Sequence, residues 1–358
     1  MTPLQRYRKA LEAPDFHRDP AQEKTVAALD ELCQRLVAAP QRGRWARFFR
    51  SRVAPPRGLY LWGGVGRGKT WLMDLFFEAL PFEAKLRLHF HRFMQLAHRR
   101  MHAIGGTADP LEQVAEELAQ QARVLCLDEM HVNDIGDAAI LYKLLDGLFA
   151  RGVTLVTTSN RMPAELGADP VLRQGFAQAV RLLEAHTQVL NVDGDADYRL
   201  RALTQAATWR HPLDANAAAA LERAFATAAT TRQQEPYIVI NEREIPVHRW
   251  ADGVVWFDFA TICGVPRART DLIEIARYFH TALISDIPQL TDAHNDLARR
   301  FTHLIDEFYD RNVNVLASCA APVEALYIGK GLAFEYQRTL SRLQEMQTQE
   351  YLAREHRP

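Results

Sequence analysis

The chain has 358 residues, of which 48% are hydrophobic and 24% charged, with a formal net charge of −1 at pH 7 and a sequence pI near 6.9. It is long and apolar enough for one large domain with additions or for two. The near-zero charge excludes a global field that would draw the whole molecule to nucleic acid or an acidic membrane, so any such contact needs a local patch. Cys33, Cys126, Cys263 and Cys319 are far apart with no Cys-x-x-Cys pair, which fits a reducing compartment and thiols that serve as small core residues. No apolar stretch approaches the roughly 18 to 20 residues that span a bilayer. The opening MTPLQRYRKALEAPDF has neither the apolar centre of a signal peptide nor the character of a transit peptide. The expectation is a cytoplasmic protein.

Residues 1–57 read as an N-terminal helical segment, clearest in DPAQEKTVAALDELCQRLVAA, where Asp19 offers an N-cap and Pro20 suits the first turn. Arginines at 42, 44, 47, 50, 52 and 57 follow around Trp45, Phe48 and Phe49. They read as a solvated helix face with inward aromatics; an exposed patch for nucleic acid or anionic lipid is the alternative. From 58 to 200, short apolar runs alternate with helical periods. GLYLWG, LRLHFH, RVLCLDE, VTLVTTSN and TQVLNV read as strands, and DAAILYKLLDGLFARG sets Ile140, Leu141, Leu144, Leu145, Leu148 and Phe149 on one helical face. The fold expected is α/β, a parallel sheet flanked by helices.

Residues 201–262 read as a helical linker, alanine-rich near 213–229, and a β excursion over 236–259 whose strand periodicity breaks at Asn241 and Asp252-Gly253. Residues 263–358 read as a C-terminal α/β extension completing the preceding unit, with strands in TALISDIP and VNVLASC and a closing helix in FEYQRTLSRLQEMQTQEYL. LYKLLDGLFARGVTLVTTS and FTHLIDEFYDRNVNVLASC align at an offset of 160, pairing Leu144 with Leu304, Asp146 with Asp306, Arg151 with Arg311 and Val153 with Val313. A duplication and the common look of any helix entering a parallel strand both account for this echo.

Gly63-Gly64-Val65-Gly66-Arg67-Gly68-Lys69-Thr70 satisfies G-x-x-x-x-G-K-[ST] between an expected strand and an expected helix, the context that a phosphate loop requires. Its glycines let successive amides turn inward around phosphate, aided by the helix N-terminus. Lys69 would meet the β/γ-phosphates of ATP and Thr70 would ligate Mg²⁺. RVLCLDE ends a strand in Asp128-Glu129, where Asp128 would hold the metal and Glu129 would polarise the attacking water. Asn160, ending a further strand, is a neutral amide suited to orienting that water, the sensor-one position of AAA+ ATPases. A nucleoside kinase would not usually need the Asp-Glu pair or an Asn-tipped strand. His89, His91, His98 and His102 concentrate in HFHRFMQLAHRRMH; without a Glu-x-x-His or cysteine beside them, a strand running into a helix explains their spacing better than a metal site does. Phe93 and Met94 read as buried packing rather than as a pore grip.

GLYLWGGVGRGKTWLMDLFF, LHFHRFM, LCLDEMHVNDIGDAAIL, TTSN, DYRLRAL, HTALISDIPQL, ARRFTHLIDEFYD and RTLSRLQEMQTQEYL together resemble the ZapE family, bacterial relatives of the mitochondrial Afg-one-like AAA+ ATPases. The likeness covers almost the whole chain. It implies a P-loop NTPase of the AAA+ class that acts in cell division near the division ring, cytoplasmic and peripheral to the inner membrane. One segment departs from the family pattern of two arginines before a phenylalanine with a proline after: VLRQGFAQAV has only Arg173, with Gly175 and Gln178 at the other positions. Arg173 remains the chosen arginine finger, with Arg299, Arg300, Arg338 and Arg342 as weaker candidates for a second nucleotide-sensing arginine. The favoured reading is a homo-oligomeric ATPase that remodels a protein partner of the division machinery. The alternative is a nucleic-acid-associated ATPase of helicase-loader or transposition-helper type, which only the basic run before Gly58 supports.

Overall fold

Asp19 caps the second helix as its position suggests: its carboxylate accepts the amides of Ala21 and Gln22 at 2.9 and 3.3 Å. The computed structural model describes all residues except 13–17, 40–54, 65–66, 105–108, 133–134, 167–169, 194–207, 230–234, 242, 252, 355 and 358. The chain divides into two units, Met1–Asp197 and Tyr198–Pro358.

In the first unit, β1 (Gly58–Trp62), β2 (Lys85–His89), β3 (Val124–Asp128), β4 (Thr154–Ser159) and β5 (Thr187–Asn191) form one sheet in the order β2-β3-β4-β1-β5. Every pairing is parallel. All five strands lie where the apolar runs place them. Strand alternation assigns the two faces. Leu59, Leu61, Val124, Cys126 and Val156 pack with α1 (Pro3–Ala10), α2 (Pro20–Ala38) and α3 (Lys69–Ala79). Tyr60, Leu125, Leu127 and Leu155 pack with α4 (Phe90–Ile104), α5 (Pro110–Gln121), α6 (Ile135–Ala150) and α7 (Pro170–His186). Each fully buried leucine or valine is worth about 1.5–3 kcal/mol. The N-terminal helices are therefore not a separate segment: Tyr7, Val26, Leu29 and Leu36 cover one face of this sheet.

The second unit opens with the two-residue strand β6 (Trp209–Arg210) and α8 (Ala215–Ala228). The expected excursion is present: β7 (Tyr237–Ile240) and β8 (Arg243–Pro246) pair antiparallel, as do β9 (Arg249–Ala251) and β10 (Val254–Asp258). Asn241 and Gly253, the two breaks in periodicity, take left-handed φ of 47° and 73°. α9 (Phe259–Ile262), α10 (Arg269–Tyr278), β11 (Thr281–Ile287), α11 (Asn295–Asp310), β12 (Asn314–Cys319), α12 (Ala333–Glu345) and α13 (Gln349–Leu352) follow.

Here the structure differs from the sequence expectation. β11 and β12 do not extend the first sheet but join a second one, in the order β6-β12-β11-β10-β9. The physical reason is burial on both faces. Val254, Trp256, Leu283 and Leu316 pack with Leu221 and Phe225 of α8, while Val255, Phe257, Ala282, Ile284, Val315 and Ala317 pack with α10, α11 and α12. Strands apolar on both faces need their own two helical layers. The closing helix is also two pieces, because Thr348 caps α13 with its hydroxyl on the Tyr351 amide.

The echo at offset 160 extends well beyond a helix entering a strand. In both sheets three consecutive parallel strands, β2-β3-β4 and β10-β11-β12, have the leading strand of the unit, β1 or β6, beside the third. Gly152 and Asn312 both take left-handed backbone, at φ 78° and 53°. Their amides donate to Phe149 O and Tyr309 O, and the next amides, of Val153 and Val313, to Leu148 O and Phe308 O. Single 3₁₀ turns, Pro163–Glu165 and Val323–Ala325, then follow at the same offset. Unit one adds β5 and unit two adds the antiparallel β9.

Candidate active site

Where β1 ends, Gly63 (φ 154°) and Gly68 (φ 77°) hold backbone conformations that a side chain would strain. A Cβ on Gly63 would also lie 2.7 Å from Asp193 Oδ1. Val65 and Gly66 lie outside the described residues. α3 starts at Lys69 with no capping side chain and no acid in its first turn, which leaves its amides for an anion. Lys69 is only 8% exposed. Its Nζ donates to Gly63 O at 2.8 Å, Gly64 O at 2.7 Å and Asn160 Oδ1 at 2.9 Å. The ammonium thus ties the phosphate loop to the first residue after β4.

Asp128 ends β3, 1% exposed. Its Oδ1 accepts from Thr70 Oγ1 at 3.1 Å and from Thr158 Oγ1; its Oδ2 accepts from Arg87 at 3.1 Å. The Thr70 hydroxyl and the Asp128 carboxylate, adjacent hard oxygen donors, fit a Mg²⁺ ion. Glu129 follows in a left-handed conformation, φ 53°, which costs a non-glycine residue about 1–3 kcal/mol. The Thr158 hydroxyl holds it there by accepting the Glu129 amide at 2.8 Å. The Glu129 carboxylate is 39% exposed, with His89 Nδ1 3.9 Å away. A part-exposed carboxylate just past the strand end that carries Asp128 can accept a proton from water.

Sequence reasoning missed four residues here. Asp193 Oδ1 accepts the Gly64 amide at 2.6 Å and lies 3.7 Å from Arg67 Nε. Gln22, 1% exposed, donates from Nε2 to Arg67 O at 3.0 Å, so α2 braces the phosphate loop from behind. Arg87 and Asp74 form an ion pair at 2.9 Å beside Asp128. Asp74 sits four residues after Thr70 on the same face of α3, a spacing that could have flagged it.

Arg173 lies in the first turns of α7, its side chain outside the described set. The basic run is also outside that set up to residue 54; Arg57 donates to Glu184 O at 2.6 Å. Arg299, Arg300, Arg338 and Arg342 belong to the second unit. There Arg300 donates to Cys263 O, Arg342 to Asp306 and Asp310, and Arg299 and Arg338 lie near Asp296 and Asp306. His98 pairs with Asp137 at 2.9 Å. Among the described residues no three His, Cys, Asp or Glu are arranged to hold a metal ion, and Phe93 and Met94 are buried in the core. All four cysteines are unpaired and buried. Burial pushes the Cys33 thiol up, Cys126 and Cys263 to about 12 and Cys319 to about 11, which disfavours thiolate at neutral pH. Among the described residues no helix is long and apolar enough to cross a membrane.

The profile of the AFG1-like ATPase family matches residues 1–355. Cell division protein ZapE of Escherichia coli (strain K12) is 42% identical over 369 residues, covering 99% of this chain and 98% of that protein. Lactation elevated protein 1 homolog B of Danio rerio is 34% identical over 350 residues, 84% of this chain and 69% of that protein. Among solved structures, the DnaC helicase loader overlays with a TM-score of 0.36 at 14% identity, covering 53% of this chain and 99% of the loader.

Proposed function

The chain belongs to the AFG1-like ATPase family, and from that premise we propose that it spends ATP on remodelling a protein partner of the cell-division machinery, working as a homo-oligomer. That it is an ATPase on an AAA+ P-loop fold follows from the family and the sheet. The partner, the division ring and a peripheral place at the inner membrane extend to this chain what its relative's name says of the relative.

The observation that carries the catalytic part is the Lys69 ammonium, bonded at once to the phosphate loop and to Asn160, next to Thr70 on Asp128. In this reading Lys69 meets the β/γ-phosphates, Asn160 orients the attacking water and Glu129 takes its proton. Thr70 and Asp128 hold Mg²⁺, which neutralises charge on the phosphate oxygens. Arg173 is the finger offered to a neighbouring subunit.

The test is a pair of variants used as baits. Glu129→Gln should keep ATP bound without turnover and, only with ATP present, retain a cell-division protein that Lys69→Ala does not retain. If the ATP-locked bait enriches nucleic acid, or holds the same proteins with and without ATP, the remodelling reading fails.

A further inference from the structure

The Arg87 guanidinium is 5% exposed and lies between two carboxylates that are 11% and 1% exposed. One nitrogen, Nη2, serves both: it is 2.9 Å from Asp74 Oδ1 and 3.1 Å from Asp128 Oδ2. Asp128 therefore divides its two oxygens. Oδ1 faces the hydroxyls of Thr70 and Thr158, and Oδ2 faces the arginine. Without Arg87, Asp74 and Asp128 would be two buried anions sharing a small space, a hard-oxygen pair of the kind that takes up a divalent cation.

We propose that Arg87 is a built-in cation that fills this pair, so that the metal reaches Asp128 only together with nucleotide. The proposal rests on the reading of Asp128 as the metal ligand. Arg87 offsets one of the two carboxylate charges of Asp74 and Asp128, which weakens their attraction for a strongly hydrated Mg²⁺. ATP supplies the further anionic oxygens. When Asp128 turns to the metal, Asp74 keeps the guanidinium, so the arginine stays paired. Arg87 is in these terms a positioning residue: it acts through Asp128, not on substrate.

Mn²⁺ is the probe, read by electron paramagnetic resonance in the absence of nucleotide. Wild-type protein should show no tight Mn²⁺ binding, whereas Arg87→Gln should bind about one Mn²⁺ per chain at least tenfold more tightly. Arg87→Lys should resemble wild type, and Arg87→Gln with Asp74→Asn should lose the gain. A folded Arg87→Gln protein with no gain, or wild type that binds Mn²⁺ as tightly without nucleotide as with it, overturns the proposal. Asp74→Asn keeps the arginine and guards against a variant that fails to fold. With Asp74 neutral, Arg87 leans more on Asp128 and competes with the metal, so the Mg²⁺ concentration that half-saturates ATP binding should rise several-fold; no rise counts against the proposal. Asp128→Asn separates the two readings. If it leaves the Mg²⁺ dependence of ATP binding unchanged, the ligand assignment itself is wrong. If it changes that dependence while Arg87→Gln gains no Mn²⁺, only the built-in cation fails.

Discussion

After its leading strand, the first unit runs through Gly63 to Gly68 into a helix whose first turn no side chain caps. In the second unit the strand that occupies the same place, β6, is followed within four residues by α8, and Asp214 caps that helix by accepting the Ala217 amide at 2.8 Å. One helix N-terminus is left open to a phosphate; the other already holds its own carboxylate. At the other strand ends the units agree. Glu129, just past β3, and Asp286, in the last residues of β11 where its register shifts, both take left-handed backbone, φ 53° and 61°, and both amides donate to a hydroxyl of the next strand, Thr158 or Ser318. Before Glu129 stands Asp128, bonded to Thr70; before Asp286 stands Ser285, bonded to Asp258. The backbone device belongs to the topology, and the chemistry belongs to one turn and the side chains around it.

The comparison breaks most plainly if the second unit binds nucleotide. Calorimetry with a slowly hydrolysed ATP analogue should give one site per chain, and Lys69→Ala should remove it entirely. A second site surviving that substitution would refute the contrast between the two helix N-termini. The helices after β4 and β12 are common to both units, yet only the first should carry a finger. Arg173→Ala should keep nucleotide affinity and lower turnover by on the order of 10³. Mixing it with Lys69→Ala protein should restore part of the activity, because an intact ATP site can then face an intact arginine. Unchanged turnover, or no rescue on mixing, would remove the finger from this helix.

The paired strand-end acids sharpen the contrast. Glu129→Gln should lower phosphate release by roughly 10² or more while ATP still binds, and Asp286→Asn should leave turnover within about twofold of wild type. Equal losses would mean that the second acid takes part in the chemistry. Smallest of all is the cap: Asp214→Ala should cost about 1 kcal/mol of stability, read as a lower denaturant midpoint, without altering ATP affinity. A change in ATP affinity would tie the capped turn to the nucleotide site.

The expected strands of the first unit were legible because each is a short apolar run closed by a polar or glycine break, and the phosphate loop because its glycines and Lys69-Thr70 have little other use in that order. Arg87 was not. Within KLRLH it alternates with leucines as a solvent-facing residue of an outer strand would, and only Asp74, arriving from α3, makes its site an interior one. Asp193 sits in VDGDAD, which reads as loop, and nothing local says that its carboxylate meets Gly64. Gln22 is one polar residue in a helix's first turn, and its role depends on where that helix lands. The second sheet escaped because β6 is two residues long; without that strand, β11 and β12 read as an extension of the sheet before them.

The left-handed residue at the end of β11 opens a route for the protein engineer. A backbone shape that costs most residues free energy is natural for glycine, and Asp286 has an exposed side chain while its amide alone reaches Ser318. Asp286→Gly is thus a place to seek tolerance to heat at no expense to catalysis, whereas the same exchange at Glu129 would relax the chain and delete the proposed base. Durability and activity, opposed at one of the two repeated positions, are separable at the other.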